Sequence, residues 1–157
     1  MSTNTVPTKN EPSAPANGTG TFTAKFERPP GAPTLPDFTG KDLRASPNAP
    51  PLATTQIQAY SADVASYIIF NFPTALDNGS HSITPTNSDS FIIHQNYRYL
   101  INSEKPNTLN ITVDNGAFKE HGEYKGNFEF TSSDQQGREV TITGNFHFTT
   151  TPTKQLL

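Results

Sequence analysis

The sequence predicts an all-β protein: an antiparallel β-sandwich of about eight short strands behind a disordered Pro/Ser/Thr-rich N-terminal arm. Three observations predict it. Residues 124–149 hold two runs, Tyr124-Lys-Gly126-Asn-Phe128-Glu-Phe130 and Val140-Thr-Ile142-Thr-Gly144-Asn-Phe146-His-Phe148, in which apolar and polar residues alternate. A period of two marks a strand with one buried face. Similar runs recur at short intervals, separated by clusters of Gly, Pro, Asn and Asp. No stretch carries helix signals; residues 64–70 lack a capping box and are rich in β-branched and aromatic residues.

The chain divides by composition. Most of its 14 prolines lie before Ala53, and most aromatics lie from Tyr60 onward. Four segments follow: a disordered leader over residues 1–20, a first strand with a proline-rich crossover over 21–52, the sandwich core over 53–150, and a tail over 151–157. The leader has almost nothing to bury and does not meet the entropic cost of ordering. Residues 21–27 form the first strand, with Phe22, Ala24 and Phe26 on one parity. Prolines 29, 30, 33, 36, 47, 50 and 51 then exclude a central strand from the next segment, because each lacks a backbone donor. That segment is expected to hug the surface, with Phe38 tucked into the core edge.

Residues 53–60 alternate through Thr55, Ile57 and Ala59. The near-continuous run Tyr67-Ile-Ile-Phe-Asn-Phe72 predicts a central strand covered on both faces. Asp77-Asn78-Gly79 is a turn leading to a short strand over 80–84. Residues 91–101 carry apolar residues on both parities, which calls for a break near Gln95-Asn96 or a strand that changes sheets. Leu109-Asn-Ile111-Thr-Val113 alternates, and Asn115-Gly116 asks for a two-residue type I′ turn that sets Val113 opposite Phe118. Gly122 offers a bend in the strand that follows.

The final hairpin can be registered from sequence alone. Gly137 suits the left-handed position of a three-residue loop, which sets Asp134 opposite Arg138. Phe128 then faces Gly144, Gly126 faces Phe146, and Tyr124 faces Phe148. Each glycine lies beneath a ring of the neighbouring strand. Gly20-Thr-Phe22 repeats the spacing of Gly126-Asn-Phe128 and Gly144-Asn-Phe146.

Composition narrows function mostly by exclusion. The formal net charge is −3 and no basic run occurs, which argues against nucleic-acid binding and polybasic membrane contact. The chain has no cysteine, so disulfides, thiolate metal sites and a cysteine nucleophile are excluded. The N-terminal residues lack a charged region followed by an apolar one, so no signal peptide is expected, and no apolar run reaches membrane-span length. The location stays open between the cytoplasm, export by a route that the sequence does not display, and a mature form already trimmed.

No Gly-x-Ser-x-Gly, Ser-x-x-Lys or phosphate loop occurs, so an enzyme has little to stand on, no catalytic residue is assigned and no cofactor is expected. Glu120 and His121, near Asp114 and Glu123, form the densest acidic and imidazole cluster and the candidate metal ligands of a metal-dependent hydrolase. The other candidate site is His94, Asn96, Tyr97, Arg98 and Tyr99. It mixes aromatic and hydrogen-bonding side chains in the way that suits sugars or peptide backbones. The expected function is a non-catalytic binding module for a protein or carbohydrate. The alternative is a self-assembling structural subunit that adds its N-terminal strand to a neighbour's sheet, giving an oligomer.

Overall fold

A computed structural model describes residues 16–47, 55–62, 65–72, 76–114 and 122–151. Among these residues there is no helix, and eleven antiparallel strands join one open sheet. They are β1 (Ala16–Glu27), β2 (Phe38–Thr39), β3 (Asp42–Pro47), β4 (Thr55–Tyr60), β5 (Tyr67–Phe72), β6 (Gly79–Ile83), β7 (Ser90–His94), β8 (Tyr97–Arg98), β9 (Thr108–Asp114), β10 (Gly122–Ser133) and β11 (Glu139–Thr151). Across the sheet the order is β6-β9-β10-β11-β1-β3-β4-β5-β7-β8, with β2 beside β3 on the same edge of β1. One hydrogen-bonded sheet of eleven strands thus stands where two sheets of about eight strands were expected.

The sheet turns its apolar face inward on itself. Phe22 of β1 is the hub: its ring stacks on Phe146 at 5.1 Å and meets Phe128 at 5.9 Å, Phe38 at 6.0 Å and Phe70 at 6.4 Å. Phe70 of β5 in turn stands edge-on to Phe128 and Phe130 of β10, at 5.3 and 6.0 Å. Strands far apart in the sheet order therefore share one core. Edge-to-face and offset contacts of this kind add to the burial of apolar area.

The final hairpin has the register expected from its glycines. Phe128 pairs with Gly144, Gly126 with Phe146 and Tyr124 with Phe148. Gly137 has φ +80° and donates its N–H to Asp134 O at 3.0 Å. The Asp134 carboxylate organises the loop: Oδ1 accepts the N–H groups of Gln136 and Arg138, each at 2.9 Å, and Oδ2 accepts Arg138 Nε at 2.9 Å. Arg28 Nε lies 3.3 Å from Oδ2 but off the hydrogen-bonding line, so it contributes charge and not a directed bond. Burial raises the Asp134 pKa, and the bonds to Arg138 and Gln136 together with the Arg138 charge outweigh it, leaving the group below the ordinary carboxylate value.

Four expectations change. The first strand begins at Ala16, so residues 16–20 of the expected leader pair with β3 and β11. The proline-rich crossover supplies β3, which lies between β1 and β4 inside the sheet; of its prolines only Pro47 enters the strand, as its last residue. At its start the chain kinks: Gly40 N–H bonds Phe22 O and Lys41 N–H bonds Tyr60 O, each at 2.7 Å, so successive residues serve opposite neighbours. In β9–β10, Val113 pairs with Tyr124, not Phe118. The connection is longer than the Asn-Gly signal implied, although the inward parity is the same. β5 is central, but only Ile68, Phe70 and Phe72 are fully buried; Tyr67, Ile69 and Asn71 are half-buried on its other face.

Candidate binding face

The outer surfaces of the two arms of the sheet differ in chemistry. Over β1, β9, β10 and β11 the outward positions are Thr, Ser, Asn, Asp, Lys, Glu and His. Ser82 Oγ donates to Asn110 Oδ1 at 2.8 Å, and Asn110 Nδ2 donates to Asn127 Oδ1 at 3.1 Å. His147 lies opposite Lys125 and reaches diagonally to Glu123, Nε2 to Oε2 at 2.5 Å. Both members of that pair are about half exposed. No large apolar side chain interrupts this surface among the described residues of those four strands.

Over β3, β4, β5, β7 and β8 the outward positions form two rows across the strands. The first runs Asp42, Tyr60, Tyr67, Ile93, Arg98. The second runs Arg44, Gln58, Ile69, Phe91. Beside them Gln56 pairs with Asn71. The centre is apolar and aromatic, with the Tyr60 and Tyr67 rings 5.9 Å apart. The polar side chains at its edge are tied to one another. Tyr60 Oη donates to Gln58 Oε1 at 2.8 Å, Gln58 Nε2 donates to Gln56 Oε1, and Gln56 Nε2 donates to Asn71 Oδ1 at 2.5 Å.

Both arginines on this face are held. Arg44 makes a two-point contact with Asp42, Nε to Oδ1 at 3.1 Å and Nη2 to Oδ2 at 2.7 Å, and lies over the Tyr60 ring. The hydrogen bond to Asp42 raises its pKa above the usual guanidinium value, against the opposing effect of burial. Arg98 lies 4.6 Å from the Phe91 ring centroid and donates to Asn87 O at 2.7 Å. Tyr and Arg set in this manner present rigid, amphipathic contact area.

The five residues expected to bind a ligand are distributed among three environments. Gln95 and Asn96 have φ +52° and +68° and form the two-residue turn between β7 and β8, so the break expected there is a hairpin. His94 is 5% exposed and stacks on Phe26 at 4.4 Å. Its Nε2 donates to Pro36 O at 2.8 Å, and Nδ1 lies 3.1 Å from Ser66 Oγ, which accepts the Gln95 N–H. Pro36 O can only accept, so Nε2 carries the hydrogen. Tyr99 is 4% exposed, against Phe26 and Tyr97, and burial raises its hydroxyl pKa. Tyr97 is half-buried, with Oη on Ser133 O at 3.1 Å. Asn96 and Arg98 are exposed, and Arg98 alone of the five belongs to the aromatic face.

His94 and Ser66 also line an open cleft of about 290 Å³ with Pro36, Asp37 and Lys41. The candidate metal ligands Glu120 and His121 lie outside the described residues. Among the described residues no three His, Asp or Glu side chains gather as a metal site would require, and no helix is long and apolar enough to cross a membrane. Sequence reasoning missed Tyr60, Tyr67, Ile69 and Phe91 as a group. The available signal is the parity of Tyr67 and Ile69, opposite to Ile68, Phe70 and Phe72, which the sequence alone suggests is a second covered face.

No family model, curated protein or solved structure matches this chain.

Proposed function

We propose that the chain is a non-catalytic binding module that takes a carbohydrate or protein ligand on the outer face of β3, β4, β5, β7 and β8. The observation that carries this reading is the contrast between the two outer surfaces: one wholly polar, the other with an aromatic and aliphatic centre bordered by Arg44, Gln56 and Arg98. A solvated sheet face has no need of such a centre, whereas a recognition surface has an apolar core and polar rim. In this reading the two arms of the single sheet act as the two layers of a sandwich, with β1 where they meet. The self-assembly alternative is weaker, because β1 is paired on both edges within its own chain. It would have to leave its sheet before it could join another.

Binding to arrayed glycans and to immobilised extracellular and intracellular proteins tests the module. The double variant Tyr67→Ser/Phe91→Ser should lose the ligand while retaining a cooperative melt. Thr21→Ala/Asn145→Ala on the polar surface should bind like wild type. The opposite pattern would move recognition to the polar surface and overturn the assignment.

A further inference from the structure

We infer that the aromatic face takes a short, uncharged, linear glycan of about four sugar units, laid across the strands along the row Asp42, Tyr60, Tyr67, Ile93, Arg98. The inference rests on the binding-face reading above and adds the ligand class. Three features of the face select it.

The first is size. The row crosses five strands, and at a strand spacing of about 4.8 Å it spans about 19 Å. With the parallel rows beside it, the face covers about 250 Å² on the same strand dimensions. A stable protein interface buries about 800 Å² on each partner. A protein, including a second copy of this chain, would have to add contacts well beyond these rows to reach that area. An extended oligosaccharide is long and narrow, and a row of side chains across strands matches that shape.

The second is charge. Arg44 is neutralised by its two-point contact with Asp42, and Arg98 is committed to a carbonyl and a ring. The face offers no free cation cluster for phosphate, sulfate or an acidic peptide.

The third is hydrogen-bonding character. Tyr60, Gln58, Gln56 and Asn71 form a hydrogen-bonded chain in which Gln58 is buried, while the half-buried Gln56 and Asn71 hold amide N–H groups beyond those used within the chain. Sugar hydroxyls both donate and accept, so a row of half-used amides can serve each of them. The rings of Tyr60 and Tyr67 supply apolar surface for the C–H faces of the sugar rings.

The chain has no tryptophan and five tyrosines, so intrinsic emission comes from tyrosine, and Tyr60 and Tyr67 report on the face directly. Full-length protein titrated with cellotetraose, xylotetraose, mannotetraose and N-acetylated chitotetraose should show saturable change with at least one of them. The matching disaccharide should bind at least tenfold more weakly. Tyr67→Ala should weaken the tetrasaccharide at least tenfold, and Tyr60→Phe, which keeps the ring and removes only the hydroxyl, several-fold; Thr21→Ala should leave it unchanged. Tighter binding of tetragalacturonate than of every neutral sugar would overturn the class, as would Tyr60→Phe and Tyr67→Ala both binding within twofold of wild type. If no saccharide binds but sedimentation equilibrium finds self-association that Tyr67→Ala abolishes, the glycan is excluded and the face is retained as a protein surface. If neither occurs, the glycan inference falls, and the binding-face reading falls with it only if the glycan and protein arrays also show no ligand that Tyr67→Ser/Phe91→Ser abolishes.

Discussion

At Gly144 an added Cβ would stand 2.2 Å from Phe128 Cζ, and its three nearest neighbours would all be atoms of that ring. At Gly126 the nearest atom would be the Asn110 carbonyl oxygen, at 2.3 Å, with Phe146 Cζ at 2.5 Å. The two sites look alike in sequence and differ in what can yield. Each alanine should cost about 1–3 kcal/mol by overpacking. Phe128→Leu should be tolerated better in the Gly144→Ala background than alone, because the smaller side chain makes room for the methyl. Phe146→Leu should bring no comparable relief to Gly126→Ala, since a backbone carbonyl does not withdraw. Urea melts arranged as two double-mutant cycles measure both couplings. Phe128→Ala or Phe146→Ala should cost about 3–5 kcal/mol, as buried phenylalanines do, whereas His147→Ala should cost under about 0.5 kcal/mol, because its pair with Glu123 is solvent-screened. Asp134 contributes a pH dependence. Its folded pKa lies below the unfolded value of about 3.9, so its stabilisation is present above that value and is lost as pH falls through the folded one. Asp134→Asn should flatten the acid side of a stability-against-pH profile; an acid limb as steep as that of wild type would place the effect elsewhere.

Among the elements, the β7–β8 hairpin has the most evident local strain. Gln95 and Asn96 both occupy the left-handed region, which a type I′ turn requires and which Gln tolerates poorly. Replacing the pair by Asn-Gly should stabilise the protein by about 1 kcal/mol, read as a raised denaturation midpoint with unchanged slope, while Asn96→Val should lower it. The same turn shows what the sequence could reveal. Apolar residues on both parities of residues 91–101 required a discontinuity, and Gln95-Asn96 was where the pattern broke. The β10–β11 register was legible because Gly137 fixed the loop and each glycine matched a ring across the ladder. The β9–β10 register was not, since Asn115-Gly116 is a local signal, and the pairing of Val113 with Tyr124 is set by packing along the whole ladder. β3 was hidden by its flanking prolines, although Leu43 and Ala45 point into the core with the period of a strand. The aromatic face was least legible. Tyr60, Tyr67, Ile69 and Phe91 become neighbours only once β4, β5 and β7 are adjacent, and no spacing along the chain encodes that.

For the molecule as a whole, the sheet order places β11 between β10 and β1. β11 is the strand that joins the arm of β6, β9 and β10 to the arm of β1–β5, β7 and β8; Asn17 pairs with Thr151 and Glu27 with Thr141, so these rungs close most of the chain into a loop. Side-chain and loop contacts such as Asn102 N–H to Thr131 O, at 2.8 Å, also cross between the arms, but among the described residues no other strand pairing does. Such long-range closure is slow, because the loop entropy is lost before the contacts form. In refolding, amides of β1 and β10 should gain exchange protection in one shared slow phase, measured by pulsed hydrogen exchange; early protection of β1 alone would contradict this. Translation adds a direction to the same constraint. Of the described strands, β1 leaves the ribosome first and β11 last, so one edge of β1 waits without its partner while the core residues Phe22 and Phe26 wait for Phe146 and Ile142 to be made. During that interval the nascent chain presents an unpaired edge and the phenylalanines of β1, an aggregation-prone surface until the last strand is free to insert.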